Sequence, residues 1–102
     1  MASGKKIEIS LKTGIEKQAA KAGGRIPEAL VNMIDKVQGF NMGQLQADSG
    51  LNWEKVINKR DPGTGLQLWS LRITGSWRAL CVMHSGPVIE IRAIRNHDKS
   101  YG

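Results

Sequence analysis

The chain has one cysteine in 102 residues, Cys81, so no disulfide can form within it. The same scarcity removes the Cys-x-x-Cys pairs used by many zinc sites, and His84, His97 and Cys81 fall at no recognised ligand spacing. Cys81 alternates with Trp77, Ala79 and Met83, which is the pattern of a core thiol rather than a nucleophile. No stretch approaches the roughly 18 apolar residues that a membrane span needs. MASGKKIEIS lacks the apolar centre of a secretion signal. These absences predict a cytoplasmic chain in a reducing compartment. Repeats, low-complexity tracts and long linkers are missing too, so one domain over residues 1–102 is expected. Gly63-Thr64-Gly65 lacks the strand before it and the helix after it that a phosphate-binding loop requires. No metal or cofactor is therefore expected.

What the chain has in excess is positive charge. Fifteen Lys and Arg face nine Asp and Glu, a net charge of +6. Five of the six arginines (Arg60, Arg72, Arg78, Arg92 and Arg95) lie in the second half. Arginine presents a planar fork that suits phosphate oxygens better than a lysine ammonium does. A polyanion such as nucleic acid is the expected partner class, with an acidic protein next and an unspecific basic surface as the plain alternative.

Hydrophobic residues make up 40 % of the chain, enough to build a core. Ile7, Ile9 and Leu11 alternate with polar residues, as in a half-buried strand. Thr13-Gly14-Ile15-Glu16 has the form of a capping box, and Gly23-Gly24 ends the helix that it would start. Pro27 suits a first helical turn, and Leu30, Met33, Ile34 and Val37 follow at helical spacing up to Gly39. Residues 40–50, rich in Asn, Gly and Gln, predict a loop. Asn52 is a candidate cap for a short helix, Trp53 to Lys59, before the turn Asp61-Pro62-Gly63-Thr64-Gly65. The rest alternates as a three-stranded antiparallel meander. The fold class expected is α+β, an N-terminal strand and two helices packed on an antiparallel C-terminal sheet.

Three-residue loops would pair Ile73 with Trp77 and His84 with Val88. Trp69, Leu71, Ile73, Trp77, Ala79, Cys81, Met83, Ile89 and Ile91 then share one apolar face for the helices to cover. The opposite face collects Ser70, Arg72, Arg78, Leu80, Glu90 and Arg92, and a slip of one residue in the second hairpin would exchange Arg92 for Arg95. Arg72 and Arg78 stand directly opposite one another, an arrangement that costs stability unless something lies between them. Glu90 can bridge them, water can screen them, or a phosphate can bind both. The last strand runs into Ile94 to Gly102, which gathers Arg95, His97, Asp98, Lys99 and Tyr101. Cleavage of RNA by its ribose 2′-hydroxyl needs a proton acceptor, a proton donor and positive charge at the phosphate. His97 and Tyr101 are residue types that move protons, and Tyr101 can also stack on a base.

The run LWSLRITGSWRALCV, followed by VIEIRAIRNHDKSY, resembles the RelE/ParE superfamily, toxins of bacterial type II toxin–antitoxin systems. The resemblance rests on Leu71-Arg72-Ile73, on Trp77-Arg78, and on Asn96-His97-Asp98 with Tyr101. It implies a RelE-like fold and a ribosome-dependent endoribonuclease that cuts mRNA and blocks translation. Arg78, His97, Tyr101 and Arg72 would be its catalytic residues. Lys55, Lys59, Arg60, Arg92, Arg95 and Lys99 are the expected RNA contacts. The family also contains ParE-like inhibitors of DNA gyrase, which perform no chemistry. A chain that only binds an antitoxin is a third reading. The partners implied are a cognate antitoxin, mRNA and the ribosome. The best-known relative carries lysines on the strand before the first hairpin, where this chain has Ser70 and Arg72.

Overall fold

The structure, a computed structural model, describes residues 4–96. It is α+β, with β1 (Glu8–Leu11), α1 (Ile15–Ala22), α2 (Ile26–Gln38), α3 (Met42–Ala47), β2 (Glu54–Arg60), β3 (Gln67–Arg72), β4 (Trp77–His84) and β5 (Val88–Asn96) in chain order. The strands form one mixed sheet in the order β1-β5-β4-β3-β2. β1 runs parallel to β5, and the other pairings are antiparallel.

One face of the sheet and the helices enclose the core. Leu30, Met33 and Val37 make a buried stripe along α2, joined by Ile15 and Ala19 of α1. They cover Leu71, Ala79, Cys81, Ile89 and Ile91, all fully buried. Both expected hairpin registers are present: Ile73 N–H donates to Trp77 O (2.9 Å), and His84 pairs with Val88.

Three local expectations are corrected. Thr13 does not cap α1. Gly14 takes that place in the left-handed region, and the Lys12 carbonyl accepts from the Ile15 N–H, leaving the hydroxyl no role. Residues 40–50 are not simply a loop. Asn41 and Gln44 exchange backbone and side-chain hydrogen bonds as a capping box, so the polar residues that suggested a loop start α3, and Leu45 anchors it in the core. Trp53 to Lys59 is not a helix. Asn52 adopts a positive φ of 48°, a turn residue rather than a cap, and β-branched Val56 and Ile57 follow it into an edge strand paired with β3. That strand is irregular between Lys55 and Arg60, where the Gln67 side-chain amide donates to Val56 O (2.8 Å) and Lys59 O (3.2 Å).

The second hairpin contains a β-bulge that no simple alternation anticipates. Near the turn Cys81 pairs with Ile91, as expected, but beyond it Leu80 pairs with Ala93 and Arg78 with Arg95. Arg92 is the extra residue. Both registers weighed from the sequence therefore occur, one on each side of the bulge.

Candidate functional site

The bulge gives the face away from the helices its main feature. Arg72 pairs with Arg78 on β3 and β4, and Arg78 pairs with Arg95 on β4 and β5. Three arginines thus form one row across three strands. Neighbouring strands lie about 4.8 Å apart, which puts the two outer backbones about 10 Å apart.

The three are not equivalent. Arg78 is only 6 % exposed, and its Nη1 donates to the carbonyls of Thr74 (2.8 Å), Gly75 (3.1 Å) and Trp77 (3.2 Å). The β3–β4 turn thereby wraps its carbonyl dipoles around a buried cation, and the cation in turn fixes the turn. Arg72 and Arg95 are exposed. Among the described residues the Arg72 guanidinium has no hydrogen-bond or ion-pair partner, and that of Arg95 donates only to the adjacent Ile94 carbonyl (3.2 Å). Glu90 does not bridge Arg72 and Arg78. Of the three answers to their opposition, solvation and a bound anion remain.

Glu90 is engaged elsewhere, at the far end of the same face. Its carboxylate binds Arg92 Nη1 (2.9 Å) and His84 Nε2 (2.9 Å), while Arg92 Nε donates to Asp61 (3.1 Å). Hydrogen bonding to His84 leads in holding the Glu90 carboxyl below its ordinary range, with Arg92 adding to it against the cost of burial. For Asp61 burial is the largest single influence and acts upward. Bonds from Thr64 and the Arg92 charge together outweigh it and keep this carboxyl low as well. The same carboxylates push the Arg92 guanidinium up, Glu90 first. Arg92, expected as an RNA contact, is thus committed to two carboxylates. The Asp61–Gly65 turn folds over the sheet to reach it, and Leu68, Ser70 and Val82 are buried on that face. His84 is six residues from Arg78 along β4, about 20 Å away. Alternation alone puts Glu90 and Arg92 on one face, but no sequence signal joins Asp61 to a residue 31 positions later.

Lys55, Lys59 and Arg60 lie on β2, not on a helix, at the sheet edge beside β3, the strand that carries Arg72. The Lys55 ammonium sits 5.8 Å from the Trp69 ring centre, and Trp69 stacks on Trp53 at 4.8 Å with the planes 3° apart. Arg60 Nη1 donates to Gly65 O (3.1 Å). His97, Lys99 and Tyr101 fall outside the described residues. Asn96, the last described residue, pairs with Trp77 beside the arginine row. Cys81 is wholly buried, and desolvation pushes its thiol well above the ordinary range. Among the described residues no group of three His, Cys, Asp or Glu could hold a metal ion, and no helix is long and apolar enough to cross a membrane. No protein-family model matches the chain, and no curated protein matches it.

Proposed function

We propose that this chain is a RelE-like toxin, an endoribonuclease that cuts mRNA on the ribosome and so stops translation in the cytoplasm. The observation that carries the reading is the row Arg72–Arg78–Arg95, with two exposed guanidinium groups that have no carboxylate partner among the described residues flanking a buried one. Such a row holds positive charge ready for a phosphodiester before substrate arrives, and preorganised charge is the largest contribution to most phosphate chemistry. Arg72 and Arg95 contact the phosphate oxygens directly. Arg78, bound to the turn, holds the centre of the row and its potential.

The ribose 2′-oxygen attacks phosphorus, and the bond to the 5′-oxygen of the next nucleotide breaks. A general base takes the 2′-hydroxyl proton and a general acid supplies one to the leaving oxygen, leaving a 2′,3′-cyclic phosphate. His97 and Tyr101 follow Asn96 closely in the chain and are the candidates for these two roles. No cofactor is needed. An antitoxin with an acidic segment is the partner that a +6 chain attracts fastest.

The test is a map of RNA 5′ ends in cells after brief induction, with the double variant Arg72→Gln/Arg95→Gln as control. New ends inside coding regions, in phase with codons and missing from the control, support the reading. An unchanged map from folded, well-expressed chain refutes it and turns attention to gyrase or to antitoxin binding alone.

A further inference from the structure

Two polar side chains on the open face of the sheet are buried and incompletely bonded. The first is Ser70 on β3, 4 % exposed. Among the described residues nothing hydrogen-bonds its hydroxyl, and Glu54, opposite it on β2, accepts from the Asn52 amide instead (3.2 Å). The second is Arg78, 6 % exposed. The bonds of its guanidinium all leave from Nη1, so Nε and Nη2 have no partner among the described residues. A guanidinium is planar, and its Nε–H and one Nη2–H run parallel along one edge, the fork that grips phosphate oxygens. The two groups are neighbours. Arg72 stands opposite Arg78, so Ser70, two residues before Arg72, is diagonal to Arg78 on the same face, about 7–8 Å away at the backbone. Buried polar groups are nearly always paired. An unpaired hydroxyl beside an unpaired cation edge points to a ligand that pairs both.

We propose that the Ser70 hydroxyl and the Nε–Nη2 edge of Arg78 form a seat for one non-bridging oxygen of the RNA phosphodiester. The inference rests on the RNA reading and adds Ser70 to the groups that hold the phosphate. The burial of both groups suits an oxygen rather than a whole phosphate. That oxygen enters the seat, and the exposed guanidinium groups of Arg72 and Arg95 meet the remainder of the phosphate. The turn carbonyls on Nη1 fix the guanidinium plane, so the fork is oriented before substrate arrives. A hydroxyl donates to the oxygen without charge. It adds direction where a further cation would add repulsion to the row.

The experiment is NMR of the arginine Nε–H signals of the full chain, titrated with an RNA dinucleotide that has one phosphodiester. The Rp and Sp phosphorothioate forms of that dinucleotide are titrated separately. They keep the charge but replace one non-bridging oxygen or the other by sulfur, a larger and weaker acceptor. One form is expected to bind about tenfold more weakly than the dinucleotide, and the other nearly as well. Ser70→Ala should melt at or above the wild-type temperature, because it removes an unpaired buried hydroxyl. It should bind the dinucleotide about tenfold more weakly and narrow the difference between the two phosphorothioates. If the wild type treats the two forms alike, or Ser70→Ala binds as the wild type does, the seat is overturned. Shifts at Arg72 and Arg95 would then still support the phosphate reading. If Ser70→Ala melts well below the wild type, the hydroxyl is structural and the seat is again overturned. If no arginine signal moves at millimolar dinucleotide, the seat and the reading both fall.

Discussion

Arg78→Ala is the informative perturbation for the arginine row, because Arg78 is both the centre of the candidate site and a buried structural cation. The substitution removes a guanidinium only 6 % exposed whose Nη1 serves three carbonyls. Nη1 has two hydrogens, so the three contacts count as two hydrogen bonds, each to a charged group and each contributing about 1.5–3 kcal/mol. Two effects offset part of that loss. A desolvated charge disappears, and so does cross-strand repulsion with Arg72 and Arg95, on the order of tenths of a kcal/mol for each pair. A net loss of about 2–3 kcal/mol remains, which for a chain this short lowers Tm by about 10–20 °C. Circular dichroism melts and urea titrations of the purified chain measure it. Arg72→Gln and Arg95→Gln are expected to behave oppositely. Each removes an exposed like charge and should leave stability unchanged or raise it by a few tenths of a kcal/mol at low salt, a gain that 1 M salt screens away. If Arg78→Ala melts with the wild type, the guanidinium is not fixing the turn and is itself free to take an anion. If Arg72→Gln destabilises by more than about 1 kcal/mol, Arg72 has a structural role and is no free ligand.

Further outcomes follow from the same geometry. Leu71→Ala, at a site with no solvent exposure on the core face of β3, should cost about 3 kcal/mol in urea unfolding, with the usual cavity penalty. Asp61 and Glu90 have carboxyls held below their ordinary range, so their contribution is present above about pH 4 and fades as pH falls through their folded values. Stability measured from pH 6 down to pH 2 should therefore drop, and Asp61→Asn with Glu90→Gln should flatten that drop while lowering the neutral-pH plateau. A side chain on Gly63 would meet the Arg92 guanidinium, so Gly63→Ala should displace Arg92 from Asp61 and lower the urea midpoint. Cys81 should resist thiol reagents in the folded chain and react only on unfolding, at the rate that the core opens.

Much of the sheet was legible because alternation has one meaning when both faces differ. Trp69 to Ile73 and Trp77 to Met83 fall on the faces that their spacing assigns, and the opposition of Arg72 and Arg78 follows from a single loop length. The helix ends at Gly23 and Gly39 were equally plain. The misses share a physical cause. α3 is a six-residue helix and β2 an irregular edge strand, and in both local composition competes evenly with tertiary pairing: Val56 and Ile57 yield to the β3 edge, while Asn41 and Gln44 cap rather than loop. The bulge at Arg92 has no sequence mark at all. It falls on β5 just past the residues that pair with β1, and it turns a pair of arginines into a row. The commitment of Arg92 and Arg78 was likewise hidden, since the partners are a distant turn carboxylate and backbone carbonyls.

The parallel pairing of β1 with β5 also bears on how the chain comes into being. Glu8 meets Val88 and Leu11 meets Ile91, so the earliest strand has no hydrogen-bonded neighbour until the latest one exists. Contacts this distant in sequence close the largest loop in the molecule, and loop closure of that kind slows folding. During synthesis the helices can form as they emerge, but β1 stays unpaired until β5 is made. The arginine row is completed at the same moment, because Arg95 belongs to that final strand. A nascent chain carries neither the closed sheet nor the assembled row. The site becomes available only once the whole described segment has been made, and any truncation that removes β5 loses the fold and the row together.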